Sequence, residues 1–211
     1  MNNFKLILLI WIIPVACSNG DFSFNDQPEP FKADTSVFSL IQEGDILLRQ
    51  GQGPLSTHIV RFMDENRSLS HCGIVCNYNN KLTVIHCISK ELSGIDGVQT
   101  QSLHDFFADV ADSNIAIVRP KLDSIQRSNF VNHAKRYLTK QVKFDNNFNF
   151  KDTSQLYCSE LVYYSYTNGT KKNPFDFKKT DIVDLMKFDS FFKESYFTTI
   201  WEAKPYKQKR K

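Results

Sequence analysis

Residues 70–89 read SHCGIVCNYNNKLTVIHCIS. Two runs rich in apolar and β-branched residues flank Asn79-Asn80, a pair that tolerates the positive φ angles of a tight hairpin turn. With a two-residue loop, the side chains of His71 and His86 project from one side of the hairpin. They lie on a diagonal, at about 7–8 Å between backbones. A loop one residue longer or shorter would send them to opposite faces.

The same register places Gly73 opposite His86 and Cys72 opposite Cys87. The absent side chain of Gly73 leaves room for the two histidines. Cys72, Cys76 and Cys87 point to the other face, so a zinc ion bound by the histidines and cysteines of this hairpin is a disfavoured alternative. Cys72 and Cys87 form either a cross-strand disulfide or two buried free thiols. Either histidine alone is typical of a satisfied, partly buried strand residue, and only their shared face favours a site.

A second stretch, Leu156–Tyr166, reads LYCSELVYYSY and predicts a helix from Cys158 to Thr167 that ends near Gly169. A cysteine in the first turn of a helix lies near the positive end of the helix dipole, which favours the thiolate. Thiolate chemistry also needs a base and a polar group that orients that base. His71 and His86 fit these two roles.

The rest of the sequence predicts the other strands and helices of a single domain. An apolar burst after Gly44-Asp45 predicts a first strand, and helical spacing predicts two further helices. The predicted segments are a strand at Ile46–Leu48, a helix at Leu55–Met63, a helix at Asp123–Gln141 capped by Asp123 or Ser124, and a polar loop at Asp145–Gln155. We expect Asp45 to be a turn residue.

A family resemblance follows from motifs in a fixed order. These motifs are Gly44-Asp45-Ile46, Ser70-His71-Cys72-Gly73, Val84-Ile85-His86 and Tyr157-Cys158-Ser159-Glu160-Leu161. The set resembles the circularly permuted papain-fold cysteine hydrolases, specifically the YiiX/YaeF-type amidase-like branch of the NlpC-like superfamily. At His71 and His86 it is also similar to the lecithin:retinol acyltransferase group.

The resemblance implies an α+β fold, in which an antiparallel sheet packs against helices. It also implies that Cys158 is the nucleophile, His71 the general acid and base, and His86 the orienting residue. In YiiX-type relatives the third position is often a glutamate. A neutral imidazole at His86 orients His71 but stabilises an imidazolium less than a carboxylate would.

The expected reaction is acyl transfer from an amide or ester through an acyl-thioester. The backbone N–H of Cys158 is the expected first donor to the oxyanion. Ser159, Tyr157 and Ser70 are the other residues that we expect to contact the oxyanion or the substrate. No cofactor or metal is implied.

The first 17 residues are typical of an export signal. Lys5 precedes the apolar run Leu6–Ala16, which is shorter than the roughly 20 residues of a spanning helix. Residues 13–17, IPVAC, resemble a bacterial lipoprotein cleavage box with an atypical Pro14, so Cys17 is a predicted lipidation site. Ordinary cleavage near Ala16 is the alternative.

The predicted organisation is a signal at residues 1–17, a flexible tether at 18–39 and a hydrolase domain at 40–211. A length of 211 residues suits one such domain, and a net charge of +3 is too small to indicate a nucleic-acid partner. We expect a location in the bacterial cell envelope, in the periplasm or anchored to the outer membrane. Expected substrates are peptide-like, cell-wall or acylated compounds. The alternative function is a non-catalytic envelope lipoprotein that binds an acylated or amino-acid ligand.

Overall fold

The computed structural model describes residues 31–32, 35–150, 152–180 and 184–203. A six-stranded sheet forms the centre of the domain, and all of its neighbouring strands are antiparallel. In spatial order its strands are β10 (Phe197–Glu202), β5 (Val110–Pro120), β1 (Ile46–Gly51), β2 (His71–Tyr78), β3 (Lys81–Ile88) and β4 (Gly97–Ser102). The predicted α+β class with an antiparallel sheet is confirmed.

Helices and two small sheets complete the described part of the chain. The α-helices are α1 (Gly53–Met63), α2 (Lys90–Ser93), α3 (Leu103–Ala108), α4 (Ser124–Thr139) and α5 (Cys158–Thr170). Two 3-10 helices cover Thr35–Leu40 and Phe188–Phe192. The small sheets pair β6 (Lys143–Phe144) with β7 (Gln155–Leu156), and β8 (Phe177–Lys179) with β9 (Asp184–Met186).

The turn between β2 and β3 has the predicted geometry. Asn79 and Asn80 have φ angles of 50° and 61°, as a two-residue turn of the primed type requires. Gly73 consequently pairs with His86. The predicted register is confirmed, and it puts both histidines on one face of the sheet.

The two faces of the sheet bury different groups. Helices α4 and α5 cover one face, where Cys72, Cys76 and Cys87 are fully buried. Helix α3 covers the opposite face with Phe106 and Phe107. All three cysteines are free thiols, so no disulfide joins Cys72 to Cys87, and the Cys87 thiol donates a hydrogen bond to the carbonyl of Leu156 at 2.8 Å.

Asp45 supports the turn before β1. Its carboxylate accepts the backbone N–H of Gln42 at 2.8 Å and two hydrogen bonds from Arg119, at 2.7 and 2.9 Å. Asp45 is fully buried, and this pairing compensates for the loss of its hydration. The structure confirms that it is a turn residue.

The N-terminal boundary differs from the prediction. Residues Thr35–Leu40, placed mostly in the predicted tether, form a 3-10 helix whose Val37 is buried and whose Phe38 ring lies 5.0 Å from that of Phe107. Burial of these apolar side chains attaches the segment to the domain. The predicted signal, Cys17 and most of the tether lie outside the described residues. Within the described ranges, no helix is long and apolar enough to cross a membrane.

Gly169 does not end α5 as predicted. The helix continues to Thr170, and Lys171 provides the left-handed terminal residue with a φ of 60°. Gly169 instead faces α4, where a Cβ atom added to it would lie 2.7 Å from the backbone nitrogen of Phe130. The glycine is therefore needed because two helix backbones approach closely.

This contact predicts that Gly169→Ala destabilises the protein although alanine is the better helix former. We expect a loss of about 1–3 kcal/mol from overpacking, which is several degrees in melting temperature for a chain of this size. Thermal unfolding followed by circular dichroism measures it. Asn132→Ala, at an exposed position of α4, is the control. An unchanged or raised melting temperature for Gly169→Ala would contradict the packing explanation.

Candidate active site

Cys158 is the first residue of α5, and its side chain is partly buried. The helix begins here because Tyr157 is extended and its backbone N–H donates to the carboxylate of Glu160 at 3.0 Å. The sulfur lies 3.9 Å from the carbonyl oxygen of Ser70. The thiol thus sits between the N-terminal turn of a helix and the start of β2.

Hydrogen bonding lowers the pKa of Cys158. The largest cause is the thiol of Cys72, and backbone groups of Cys72, Ser159 and Cys158 itself add to it against the effect of burial. Burial, followed by the same hydrogen bond, raises the pKa of Cys72 well above its usual range. Cys72 therefore keeps its proton and donates it, which favours a thiolate at Cys158.

The two histidines are directly bonded. Nε2 of His71 lies 2.9 Å from Nδ1 of His86, and both rings contact Phe106, with which His71 is stacked at 5.8 Å. The bond occupies Nε2 of His71 and leaves its Nδ1 without a hydrogen-bond partner among the described residues. If Nδ1 of His86 accepts the bond, His71 carries its proton on Nε2 and presents a basic Nδ1.

Both imidazoles are neutral at pH 7. Burial is the main reason that the pKa of His71 is well below its usual range, with further lowering by Arg49 and His86. Burial and Arg49 also lower the pKa of His86 to about 3. The resting site therefore holds a neutral base beside a thiol of lowered pKa, and the hydrogen bonds at Cys158 favour its thiolate without an imidazolium.

Arg49 is a buried cation that the sequence did not reveal as part of the site. It lies next to His71 in the β1–β2 register and is 3% exposed. Its guanidinium stacks 4.3 Å from the centre of the Phe106 ring, donates to the Phe106 carbonyl at 2.7 Å and pairs with Asp109 at 3.1 Å. In the sequence, the one indication that Arg49 belongs to the site is that a charged residue lies inside an apolar strand.

A cavity of about 280 Å³ brings several of the predicted residues together. Cys158, His71, Ser70 and Tyr157 line it. His86 is bonded to His71 but does not line the cavity, and the buried Ser159 does not line it either. Cys17 lies outside the described residues.

Ser70 has a structural partner that the sequence did not indicate. Its hydroxyl is hydrogen-bonded to that of Ser56 on α1 and accepts the backbone N–H of Gly51 at 3.0 Å. These bonds hold the start of β2 against the end of β1. Ser70 therefore presents its carbonyl, not its hydroxyl, to the Cys158 sulfur.

Glu160 is fully buried in the first turn of α5, two residues after Cys158. One carboxylate oxygen accepts the Tyr157 N–H, while Oε1 has no hydrogen-bond partner in the part of the chain that the structure describes. Burial raises the pKa of Glu160 to about 8, with nearby Asp145 and Cys158 adding to the shift. The group is therefore largely protonated at neutral pH, and its neutral form does not oppose a thiolate at Cys158.

Comparison with known proteins places this chain in a family. A family model described as "permuted papain-like amidase enzyme, YaeF/YiiX, C92 family" matches residues 40–200, which is more than half of the chain. The chain belongs to this family. It is a cysteine hydrolase of the amidase and peptidase kind, as the order of its motifs predicted.

The fold of this amidase is shared with a solved structure. The crystal structure of the metalloprotein yiiX from Escherichia coli O157:H7 matches with a TM-score of 0.64 and 20% sequence identity, over 78% of this chain and 98% of that one. No curated protein matches the amidase significantly in sequence. The further similarity to the lecithin:retinol acyltransferase group stays a prediction.

Metal-binding side chains of the amidase do not converge in the described ranges. No group of three or more His, Cys, Asp or Glu side chains there is arranged to hold a metal ion. In the hairpin, Cys72 and Cys87 face α5 while His71 and His86 face Phe106.

The role of Cys72 predicts that Cys72→Ala raises the pKa of Cys158, because the main hydrogen-bond donor to the thiolate is lost. We expect slower alkylation of Cys158 by iodoacetamide below pH 7, with the midpoint of the rate moved to higher pH. Cys72→Ser keeps an O–H donor and should stay closer to the parent protein. Rates at Cys158 are followed by mass spectrometry of its peptide.

Cys76→Ala is the matched control, because Cys76 is another buried thiol on the same strand and face. Equal midpoints for Cys72→Ala and the parent protein would show that Cys72 does not lower the pKa of the Cys158 thiol.

Proposed function

We propose that this cysteine hydrolase cleaves an amide or ester bond through a Cys158-His71-His86 triad. The observation that carries the proposal is the 2.9 Å bond between His71 and His86, which fixes a neutral imidazole in the cavity that also exposes Cys158. The family supplies the hydrolase kind. The bond between the two histidines and the shared cavity support the roles proposed for Cys158, His71 and His86.

In the proposed first half-reaction, Nδ1 of His71 takes the thiol proton of Cys158 and the sulfur attacks the carbonyl carbon. The carbonyl electron pair moves onto oxygen, where the backbone N–H of Cys158 donates to it. When the tetrahedral intermediate collapses, the bond to the leaving group breaks. His71 returns its proton to the departing amine or alcohol, and an acyl-thioester stays on Cys158.

In the second half-reaction, His71 takes a proton from water as the water oxygen attacks the thioester. Collapse releases a carboxylic acid and returns the proton to the sulfur. His86 accepts the Nε2–H of His71 throughout and holds the tautomer with a basic Nδ1. A neutral His86 gives the imidazolium less stabilisation than a carboxylate would.

The test is capture of the acyl-enzyme from p-nitrophenyl acetate by the full chain. We expect an acetyl adduct on Cys158 and release of p-nitrophenol in the parent protein, with neither in Cys158→Ser. His71→Ala should lose turnover by about 10²–10⁴-fold, the usual contribution of general acid–base catalysis. Intact mass and absorbance measure the two events.

His104→Ala, a histidine exposed on α3, is the control and should keep full activity. His71→Ala should leave the alkylation midpoint of Cys158 nearly unchanged, because the hydrogen bonds that lower its pKa come from other groups. A parent protein with no adduct and no turnover would favour the alternative of a non-catalytic envelope lipoprotein that binds an acylated or amino-acid ligand.

We also propose export to the bacterial cell envelope and lipid attachment at Cys17, supported by the signal-like residues 1–17. The parent protein should fractionate with membranes and carry a lipid mass on Cys17, whereas Cys17→Ser should be released unmodified. Intact mass spectrometry of both fractions decides the point. An N-terminus near Ala16 without lipid in the parent protein would indicate ordinary signal cleavage.

A further inference from the structure

Beyond the catalytic groups, the cavity around Cys158 is walled by apolar side chains. Three elements provide them: α1, the segment at the end of β3 and in α2, and the segment from β6 into the following loop. The side chains are Leu55, Ile59, Ile88, Leu92, Phe144 and Phe148. Their arrangement gives the nucleophile an apolar chamber.

Two side chains of opposite charge in this cavity are paired with each other. Among the described residues that line it, Arg49 and Asp109 form an ion pair at 3.1 Å, and the remaining charged group is the Cys158 thiolate. The Arg49 guanidinium also donates a hydrogen bond to the Phe106 carbonyl oxygen. A substrate ammonium would find no unpaired carboxylate here, and burying it unpaired would be costly.

Phe148, one of the aromatic side chains of the cavity wall, is held in place by a strained loop. Phe148 has a φ of 52°, in the left-handed region that bulky residues avoid. Buried Asp145 fixes this conformation by accepting the backbone N–H groups of Asn147 and Asn149, at 2.8 and 2.5 Å. The Phe148 ring is thereby set 5.4 Å from the ring of Tyr157, beside the nucleophile. Strain of this kind clusters at ligand sites.

The mouth of the cavity is also apolar. Leu55 and Leu92 line it and are 43% and 56% exposed. Exposed leucines on two separate elements, meeting at one opening, would be covered by an apolar ligand. This feature and the apolar walls of the interior point to the same class of substrate.

We propose that this cavity binds an uncharged, apolar acyl chain, so that the substrate of the site is an N-acyl amide or ester and not a peptide with a free amino terminus. The inference rests on the proposed function, since the chain is the acyl group that passes to the Cys158 sulfur. The amine or alcohol leaves with the proton that His71 returns in the first half-reaction. A cavity of about 280 Å³ has room for a short chain.

A matched series of p-nitrophenyl esters tests the proposal on the full chain. From acetate through butyrate to hexanoate, kcat/KM should rise by about fourfold per methylene group, the value for transfer of one methylene from water to an apolar site. The 6-aminohexanoate ester places an ammonium at the end of a chain of the same length. It should react at least tenfold more slowly than the hexanoate ester.

Two variants locate the effect. Leu92→Ser, at the exposed mouth, should flatten the dependence of kcat/KM on chain length. Ile125→Ser removes a side chain that is 73% exposed on α4, away from the cavity, and should leave the dependence unchanged. The slope is compared within each variant, so a partial loss of overall activity does not affect it.

The outcomes separate the two proposals. A flat or falling series in an enzyme that hydrolyses the acetate ester, or a preference for the 6-aminohexanoate ester, would overturn the acyl-chain site and leave the hydrolase intact. A rise that persists unchanged in Leu92→Ser would overturn the assignment of the chain to this cavity. Failure with every ester and no adduct on Cys158 would overturn the hydrolase proposal and the acyl-chain site with it.

Discussion

The two-residue turn at Asn79 and Asn80 is the constraint on which the site depends. Its positive φ angles fix the β2–β3 register, and the register puts His71 and His86 on one face within hydrogen-bonding distance. A shift of one residue would move one imidazole to the thiol face of the sheet. The orientation of His71 is therefore set by backbone geometry at the far end of the β2–β3 hairpin.

Different groups in the site stabilise the Cys158 thiolate and set the charge of the histidines. In a thiolate–imidazolium pair, the same two residues would do both. The helix start and Cys72 favour the thiolate, while burial and Arg49 keep His71 and His86 uncharged. A buried cation beside neutral imidazoles avoids the cost of placing a second positive charge in the same apolar surroundings. In the proposed mechanism the reaction therefore starts without an existing ion pair, because His71 is unprotonated.

Local patterns predicted the elements that carry the chemistry, since alternation and turn preference fix a hairpin and a polar start fixes a helix. They missed Arg49 and Cys72, because each acts on a residue from another element and such contacts depend on how β1, β2 and α5 pack. Gly169 was misassigned for the same reason: glycine is usual at a helix end, but here contact with α4 requires it. The place of Phe148 in the cavity wall was also missed, because nothing in the local sequence indicates that Asp145 would hold Phe148 in a left-handed conformation.

The order of the motifs along the chain has a consequence for how the enzyme matures. The hairpin with the histidines precedes α5, and Cys158 acquires its main hydrogen-bond donor, the Cys72 thiol, only when α5 packs against β2. Until then its thiol has the ordinary reactivity of a cysteine in an unfolded chain. The lowered pKa of the Cys158 thiol therefore develops only as the fold is completed.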